Sequence, residues 1–279
     1  MPTANIGGTE ISYQDQGNGD VIVLLHASAS SGEQWRTLRS HIGNDYRIIT
    51  PDFYGCGRSA PWHGRESMTL AAEAAIIDGL AATIGRPFHL VGHSYGGAVA
   101  LRMASQSTQR IKSLTLIEPV SFHLLRMGSP TDRKAFDEVA DLVDTLCRSV
   151  IAGDEWNGMG RFVDYWNGHG TWASLPWEKR RQLAPRIRTT LYHFWSTIRE
   201  AMPIDSYRQI RMPVSVIWGG RTRTPTRRIA ELLADALPEV RSTVFDDAAH
   251  MLPLTHAERL ADSIVPFVDG KARWTSQAA

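Results

Sequence analysis

Short apolar runs rich in Val, Ile and Leu recur along most of the chain and restrict the class of fold it can adopt. Such continuous runs are typical of strands buried on both faces of a parallel sheet. Helical stretches lie between them, for example the segment that begins at Thr69 and ends at Gly85. This alternation predicts an α/β fold with a mostly parallel, twisted sheet and helices on both faces. The runs are VIVLL, YRIITPD, PFHLVG, IKSLTLIEP, MPVSVIWGG and VRSTVFDD.

The alternation stops between residues 121 and 205, where long runs with helical character replace the strands. One run covers residues 132–153 and another covers residues 175–202. We therefore predict a core formed by residues 1–120 and 206–279, with residues 121–205 inserted as a helical cap, or lid. Five of the nine tryptophans fall in this insertion, and they indicate either an apolar substrate site or simple packing against the core: Trp156, Trp166, Trp172, Trp177 and Trp195.

Composition excludes several classes of function. The 279 residues carry a net charge of +1 and are 43% hydrophobic, which gives no indication of a nucleic-acid or membrane partner. The N-terminus lacks the pattern of a secretory signal, and Cys56 and Cys147 lie too far apart for a CxxC pair, so we expect free thiols and a cytoplasmic location. No metal-binding spacing, phosphate loop or dinucleotide fingerprint is visible, so no metal or cofactor is predicted.

Residues 90–104, LVGHSYGGAVALRMA, hold a G-x-S-x-G motif between a buried strand and an alanine-rich helix. The glycines allow a sharp strand-to-helix turn in which larger side chains would collide. This turn raises the Ser94 hydroxyl above the edge of the sheet and places the helix N-terminus beneath it, where backbone N–H groups favour developing negative charge. The motif in this context predicts that Ser94 is a catalytic nucleophile.

With this motif the chain resembles the α/β-hydrolase superfamily, and the resemblance extends over nearly its full length. LLHASASSGEQW is similar to the family's His-Gly segment at a strand end, and PDFYGCGRS to its Asp-x-x-Gly-x-Gly-x-Ser loop. DDAAHMLPLTHAERLADSIVPFV is similar to the family's terminal histidine loop and last helix. The resemblance implies the α/β-hydrolase fold, a triad of serine, histidine and acid, and a helical cap after the sixth strand.

By the family pattern, the oxyanion hole is formed by the backbone N–H groups of Tyr95 and Ser28. Ala27 stands where the family has a glycine, a small change that should keep the backbone close. The Ser28 hydroxyl could add a further donor or could hydrogen-bond within its own loop. His26 and His93 occupy motif positions, where we expect them to orient loops through hydrogen bonds.

The triad histidine is expected at His250, after the last predicted strand, but the acid is displaced. Its usual place is the turn after the seventh strand, which reads GGRTRTP here, with Thr222 where an aspartate is expected. A threonine cannot offset the imidazolium charge that forms in the transition state. Glu118, at the carboxyl end of the sixth strand, is our predicted acid. The alternatives are Asp246 or Asp247 in the histidine loop, or a protein that has lost its acid.

Together these residues predict a serine hydrolase that cleaves a small-molecule carboxylic ester with an apolar acyl or aryl part. The same triad serves hydrolysis of carbon–carbon bonds in ring-cleavage diketones, which is one alternative. A non-catalytic small-molecule receptor on the same scaffold is another. The side chains expected to contact the substrate are Ala27, His123, Trp166, Trp195 and Met251.

Overall fold

The computed structural model describes residues 1–64 and 66–271, and these residues form one eight-stranded sheet with helices on both faces. The strands are β1 (Thr3–Ile6), β2 (Thr9–Gln16), β3 (Asp20–Leu25), β4 (Tyr46–Pro51), β5 (Phe88–His93), β6 (Ile111–Ile117), β7 (Val214–Gly219) and β8 (Val240–Phe245). Their order across the sheet is β1-β2-β4-β3-β5-β6-β7-β8. Strand β2 pairs antiparallel with β1 and β4, and every pairing from β4 to β8 is parallel. The predicted α/β class is confirmed.

The core helices divide between the two faces of the sheet. Helices α1 (Arg36–Ile42), α11 (Leu252–Thr255) and α12 (Ala257–Val268) pack on one face. Helices α2 (Leu70–Ile84), α3 (Tyr95–Gln106) and α10 (Thr224–Ala236) pack on the other. The central strands are buried from both sides, which explains their continuous apolar sequences.

The capping signals read from the sequence act as predicted in helix α2. The Thr69 hydroxyl accepts a hydrogen bond from the Ala72 N–H at 3.1 Å, which satisfies one of the unpaired donors of the first turn. Gly85 ends the helix with a φ of 72°, a left-handed conformation that glycine adopts without steric cost. The helix therefore begins and ends where the sequence indicated.

Helices alone fill the segment between β6 and β7. They are α4 (His123–Arg126), α5 (Pro130–Ile151), α6 (Glu155–Asn167), α7 (Thr171–Ser174), α8 (Trp177–Leu183) and α9 (Ile187–Arg199). The first predicted run forms α5, but the second is not one helix. A 3₁₀ turn, Ala184–Arg186, separates α8 from α9, because Pro185 has no N–H to continue the ladder of hydrogen bonds.

No helix in the described part of the chain is both long enough and apolar enough to cross a bilayer.

Candidate active site

Ser94 lies in a strained turn between strand β5 and helix α3. Its backbone has φ 56° and ψ −115°, a conformation that L-residues rarely adopt. The glycines on either side make this turn possible. A Cβ on Gly92 would lie 2.2 Å from the Gly96 carbonyl oxygen, and a Cβ on Gly96 would lie 2.2 Å from the Leu25 carbonyl oxygen. The G-x-S-x-G spacing is therefore required by the close approach of three backbone segments.

Ser94, His250 and Glu118 form one line of hydrogen bonds. The Ser94 Oγ lies 2.9 Å from Nε2 of His250, and Nδ1 of the same imidazole lies 3.0 Å from Oε2 of Glu118. Ser94 follows β5, Glu118 follows the adjacent strand β6, and His250 lies in the loop between β8 and α11. Parallel strands end at the same edge of the sheet, which brings these three distant residues together. All three are buried.

The Glu118 carboxylate accepts hydrogen bonds on both of its oxygens. Oε1 accepts from the Gly219 N–H at 2.6 Å, at the end of the neighbouring strand β7. Oε2 accepts from the Thr222 hydroxyl as well as facing His250. The turn after β7, where the resemblance places the acid, thus supplies two hydrogen-bond donors to the Glu118 carboxylate after the neighbouring strand β6. Asp246 and Asp247, the alternative acids, are exposed, and Asp247 binds Arg259 at 2.8 Å.

Backbone strain is concentrated at this site. Among the described residues other than glycine, those with positive φ are Ala29, Ser94 and Glu118, at 55°, 56° and 50°. Such conformations cost about 1–3 kcal/mol each and persist where the surroundings impose them. Ser94 and Glu118 are the two ends of the hydrogen-bonded line. Ala29 belongs to the loop after β3, and it lines the same cavity as Ser94.

Neutral histidines connect the loops that surround the serine. His93 Nε2 donates to the His250 carbonyl oxygen at 2.8 Å, and its Nδ1 accepts from the Gln34 amide at 3.1 Å. The Gln34 carbonyl oxygen in turn accepts from the Ala27 N–H at 3.1 Å. Burial lowers the pKa of His93 to about 3, and the neighbouring His250 acts in the same direction, so His93 stays neutral at physiological pH.

His26 holds the other side of the same loop. Its Nδ1 donates to the Ala27 carbonyl oxygen at 2.7 Å, and its Nε2 accepts from the Phe53 N–H at 3.1 Å. Burial lowers the pKa of His26 to about 4. The neutral ring can therefore donate at one nitrogen and accept at the other, as these contacts require.

A cavity of roughly 220 Å³ opens above Ser94 between the core and the inserted helices. Three of the five residues expected to contact substrate line it, namely Ala27, Trp166 and Met251. The other two, His123 and Trp195, do not line this cavity. His123 instead contacts the Thr197 carbonyl and the Tyr207 hydroxyl, and Trp195 packs outside the cavity against Arg199. Apolar and polar side chains share the remaining lining, and Lys179 is among the polar ones. The large apolar residues are Val120, Phe122, Phe162, Val163, Leu175, Leu183, Phe194 and Leu254.

Trp166 in helix α6 covers the histidine of the hydrogen-bonded line. Its ring stacks on the His250 imidazole with centroids 4.0 Å apart and an interplanar angle of 24°. A tryptophan face attracts a cation placed above it. The inserted helices thus contact the imidazole directly, at the position where a positive charge forms if the histidine accepts a proton.

Sequence reasoning missed three buried polar residues near the site: Gln34, Glu73 and His193. Glu73 could have been found, because it occupies the apolar stripe of helix α2 between Leu70 and Ile77, at the spacing of three and four residues. The sequence around Gln34 and His193 gives no comparable signal. A polar residue in a helix is usually exposed, so nothing in the sequence indicates that these two are buried.

Similarity to known proteins shows the family of the chain. The family model described as alpha/beta hydrolase fold matches residues 20–257. A pimeloyl-[acyl-carrier protein] methyl ester esterase from Methylococcus capsulatus is 27% identical, over 91% of this chain and 97% of its own. A cis-3-alkyl-4-alkyloxetan-2-one decarboxylase from Xanthomonas campestris pv. campestris is 26% identical, over 94% and 93%. An α/β hydrolase from a Medee basin deep-sea metagenome library superposes with a TM-score of 0.81 at 18% identity, covering 99% and 100% of the two chains. The chain belongs to the α/β hydrolase fold family.

Proposed function

We propose that this protein is a serine hydrolase that cleaves a carboxylic ester through an acyl-enzyme. The observation that carries the proposal is the pair of hydrogen bonds from Glu118 through His250 to Ser94, at 3.0 and 2.9 Å. This geometry is what nucleophile activation requires: a base within reach of the hydroxyl, and an acid that orients the base. The name of the methyl ester esterase, similar over nearly its whole length, supports an ester as the substrate class.

In the first half of the reaction, Ser94 Oγ attacks the ester carbonyl carbon while Nε2 of His250 takes the hydroxyl proton. The tetrahedral oxyanion is held by the N–H groups of Tyr95 and Ser28. The Ala27 N–H already donates to Gln34, which leaves the next amide of the loop as the donor. The imidazolium then gives its proton to the alcohol oxygen, and the bond between that oxygen and the carbonyl carbon breaks.

In the second half, water attacks the acyl-enzyme and the same groups act in the reverse sense. His250 takes a proton from the water, the oxyanion forms again at the same two amides, and the Ser94 oxygen leaves with the proton. Glu118 holds the Nδ1–H tautomer throughout and balances the imidazolium charge. The apolar side chains of the lining favour a substrate with an apolar acyl or aryl part.

A fluorophosphonate probe tests this function directly. We expect one equivalent of probe to label Ser94, and p-nitrophenyl butyrate to give a burst of p-nitrophenol equal to the enzyme concentration. Ser94→Ala is the control, and it should show neither. Peptide mapping of the labelled protein identifies the site. Absence of labelling at Ser94 in the wild type would instead indicate a receptor without catalytic activity.

The substrate class is tested by a panel of esters with increasing acyl length, together with a ring-cleavage diketone. Faster turnover of the esters at equal concentration supports the ester assignment. Preferential cleavage of the diketone would assign the triad to hydrolysis of carbon–carbon bonds.

Trp166→Leu is expected to lower kcat by about 5- to 30-fold, the equivalent of about 1–2 kcal/mol of cation–π stabilisation of the imidazolium. Trp166→Phe, which keeps an aromatic face over His250, should lose less. Trp177→Leu is the matched control, because Trp177 is an exposed tryptophan of the same insertion and packs on Trp156. Steady-state kinetics with p-nitrophenyl butyrate measure all three, and equal losses in Trp166→Leu and Trp177→Leu would contradict a role for the stack.

A further inference from the structure

A second line of buried polar side chains reaches the cavity at Ser28. The Ser28 hydroxyl, which lines the cavity, lies 3.1 Å from Nδ1 of His193 in helix α9. Nε2 of His193 faces Oε1 of Glu73 at 3.9 Å. His193 and Glu73 are almost completely buried. These two facing atoms have no hydrogen-bond partner among the described residues.

Aromatic packing fixes the histidine of this line. The His193 ring stacks on the Tyr95 ring with centroids 3.9 Å apart and an interplanar angle of 11°, and Phe53 meets its edge. The Tyr95 backbone is one of the two amides assigned above to the oxyanion hole. The second oxygen of Glu73 accepts from the Tyr54 N–H at 3.4 Å. The carboxyl therefore has one side occupied and turns the other toward His193.

The inserted helices hold the loop of Ser28 at a second point. The Arg186 guanidinium donates to the Ala29 carbonyl oxygen at 2.9 Å. Ala29 is one of the strained residues with positive φ. Residues 186 and 193 of the insertion thus bind adjacent residues of the loop that carries one oxyanion donor.

We propose that Glu73 and His193 form a positioning relay that fixes the Ser28 hydroxyl as a third donor of the oxyanion hole. The proposal rests on the proposed function, because it adds a side-chain donor to the two backbone amides. The relay joins a core helix, the inserted helices and the oxyanion loop. The insertion would then help to complete the catalytic site as well as covering it.

The direction of the hydrogen bonds follows from burial. Removal from water raises the pKa of the Glu73 carboxyl well above its ordinary value and lowers that of His193 well below its own. Burial therefore favours the neutral form of both groups, and in the proposed relay the protonated carboxyl turns its O–H toward Nε2 of His193, across a gap of 3.9 Å that is longer than a formed hydrogen bond. The imidazole then carries its proton on Nδ1 and donates to Ser28 Oγ. Because Ser28 Oγ accepts this hydrogen bond from His193, the Ser28 O–H is left to donate to the substrate oxyanion.

Replacing Ser28 and His193 separately and together tests the coupling between them. Ser28→Ala is expected to lower kcat by about 10- to 100-fold, with KM changed by less than about threefold, because the donor acts mainly on the transition state. His193→Phe keeps the stack on Tyr95 and should lose a similar factor. The double variant should be no slower than either single variant, since both remove the same donor. Ser31→Ala is the matched control, because Ser31 lies in the same loop but is not among the residues that line the cavity.

Replacing Glu73 tests the direction of the relay. In Glu73→Gln the oxygen is retained on the side of the Tyr54 N–H, and the NH₂ group faces His193 and still donates. We expect kcat within about threefold of wild type. Glu73→Leu removes the donor and should match the loss in Ser28→Ala. If the carboxylate were an ionised acceptor, the glutamine variant would lose as much as the leucine variant.

Nitrogen-15 NMR of the histidine side chains gives a readout that does not depend on turnover. The His193 resonances, assigned by their loss in His193→Phe, are expected to show a protonated Nδ1 and an unprotonated Nε2. The Nε2–H tautomer, or multiplicative losses in the double variant, would overturn the relay. Failure of the fluorophosphonate to label Ser94 would overturn the proposed function instead, and the relay would then be judged by the His193 tautomer.

Discussion

Glu118→Gln is expected to lower kcat by about 10³- to 10⁴-fold, with little change in KM. The amide cannot match the donors that face both oxygens of the carboxylate. With its oxygen toward the Gly219 N–H, its NH₂ group faces Nδ1 of His250. Nδ1 must then accept, so the proton moves to Nε2, and the imidazole can no longer take the proton of Ser94. Steady-state and single-turnover kinetics with p-nitrophenyl butyrate measure the loss.

The neighbouring Thr222 provides the control for this prediction. Thr222→Ala removes one hydrogen bond to Glu118 and leaves the charge and the His250 contact in place. Losing a hydrogen bond to a charged group corresponds to about 1.5–3 kcal/mol. Only the part of this free energy that stabilises the transition state more than the bound substrate affects kcat, so we expect kcat to fall by about tenfold or less. A fall in Thr222→Ala as large as in Glu118→Gln would overturn the assignment of the acid.

Moving the acid back to its usual turn is a more demanding test. Thr222 Oγ1 bonds the same Glu118 oxygen that faces His250, so a carboxylate at position 222 lies close to the imidazole. We expect the double variant Glu118→Ala/Thr222→Asp to exceed Glu118→Ala in kcat by at least about tenfold. Glu118→Ala/Thr222→Asn has the same shape without the charge and should gain nothing. Equal rates in the two double variants would show that position 222 cannot substitute for the acid.

The fold and the line from Ser94 to Glu118 could be read from sequence because the signals are local. A continuous apolar run predicts each buried strand. In parallel strands, the residues that follow these runs lie at the same edge of the sheet. Glu118 and the turn at Thr222 follow adjacent strands, so an acid missing from one place could be sought at the other. The pattern thus predicts which side chains can meet, and the structure supplies the distances.

The surroundings of the cavity could not be read in the same way. Whether a side chain of the inserted helices faces the cavity depends on how those helices pack, and His123 and Trp195 point elsewhere although other residues of their segment line the cavity. His193 of α9 contacts Ser28 across 165 residues of sequence. Long-range packing of this kind leaves no periodic trace in one sequence.

The free energy of unfolding is expected to fall steeply as the pH is lowered from about 6.5 to 4, because burial strongly lowers the pKa of several histidines, four of them by a large amount. Burial lowers the pKa of His26 and His123 to about 4, that of His93 to about 3, and that of His193 well below its ordinary value. In the unfolded chain each imidazole takes up a proton near pH 6.5. Between these values the unfolded state binds more protons, so stability is present above pH 6.5 and is lost on acidification.

Glu73 acts in the opposite direction. Its raised pKa means that the folded state keeps a proton that the unfolded chain releases above about pH 4.5. The four histidines with the largest shifts take up about four protons and Glu73 releases about one, which leaves a net uptake of about three near pH 5, and His89, whose pKa burial also lowers, acts in the same direction as the four. That corresponds to about 4 kcal/mol per pH unit, large beside the 5–15 kcal/mol that stabilises a typical domain.

Urea titrations at pH values between 4 and 7 measure this slope. His123→Gln removes one buried histidine that lies outside the cavity lining, and it should reduce the slope near pH 5 by about one proton, or about 1.4 kcal/mol per pH unit. His41→Gln replaces an exposed histidine of helix α1 and should leave the slope unchanged. Equal slopes in the two variants would show that His123 takes up its proton in the folded state as readily as in the unfolded chain. The acid sensitivity would then have to arise elsewhere than from this histidine.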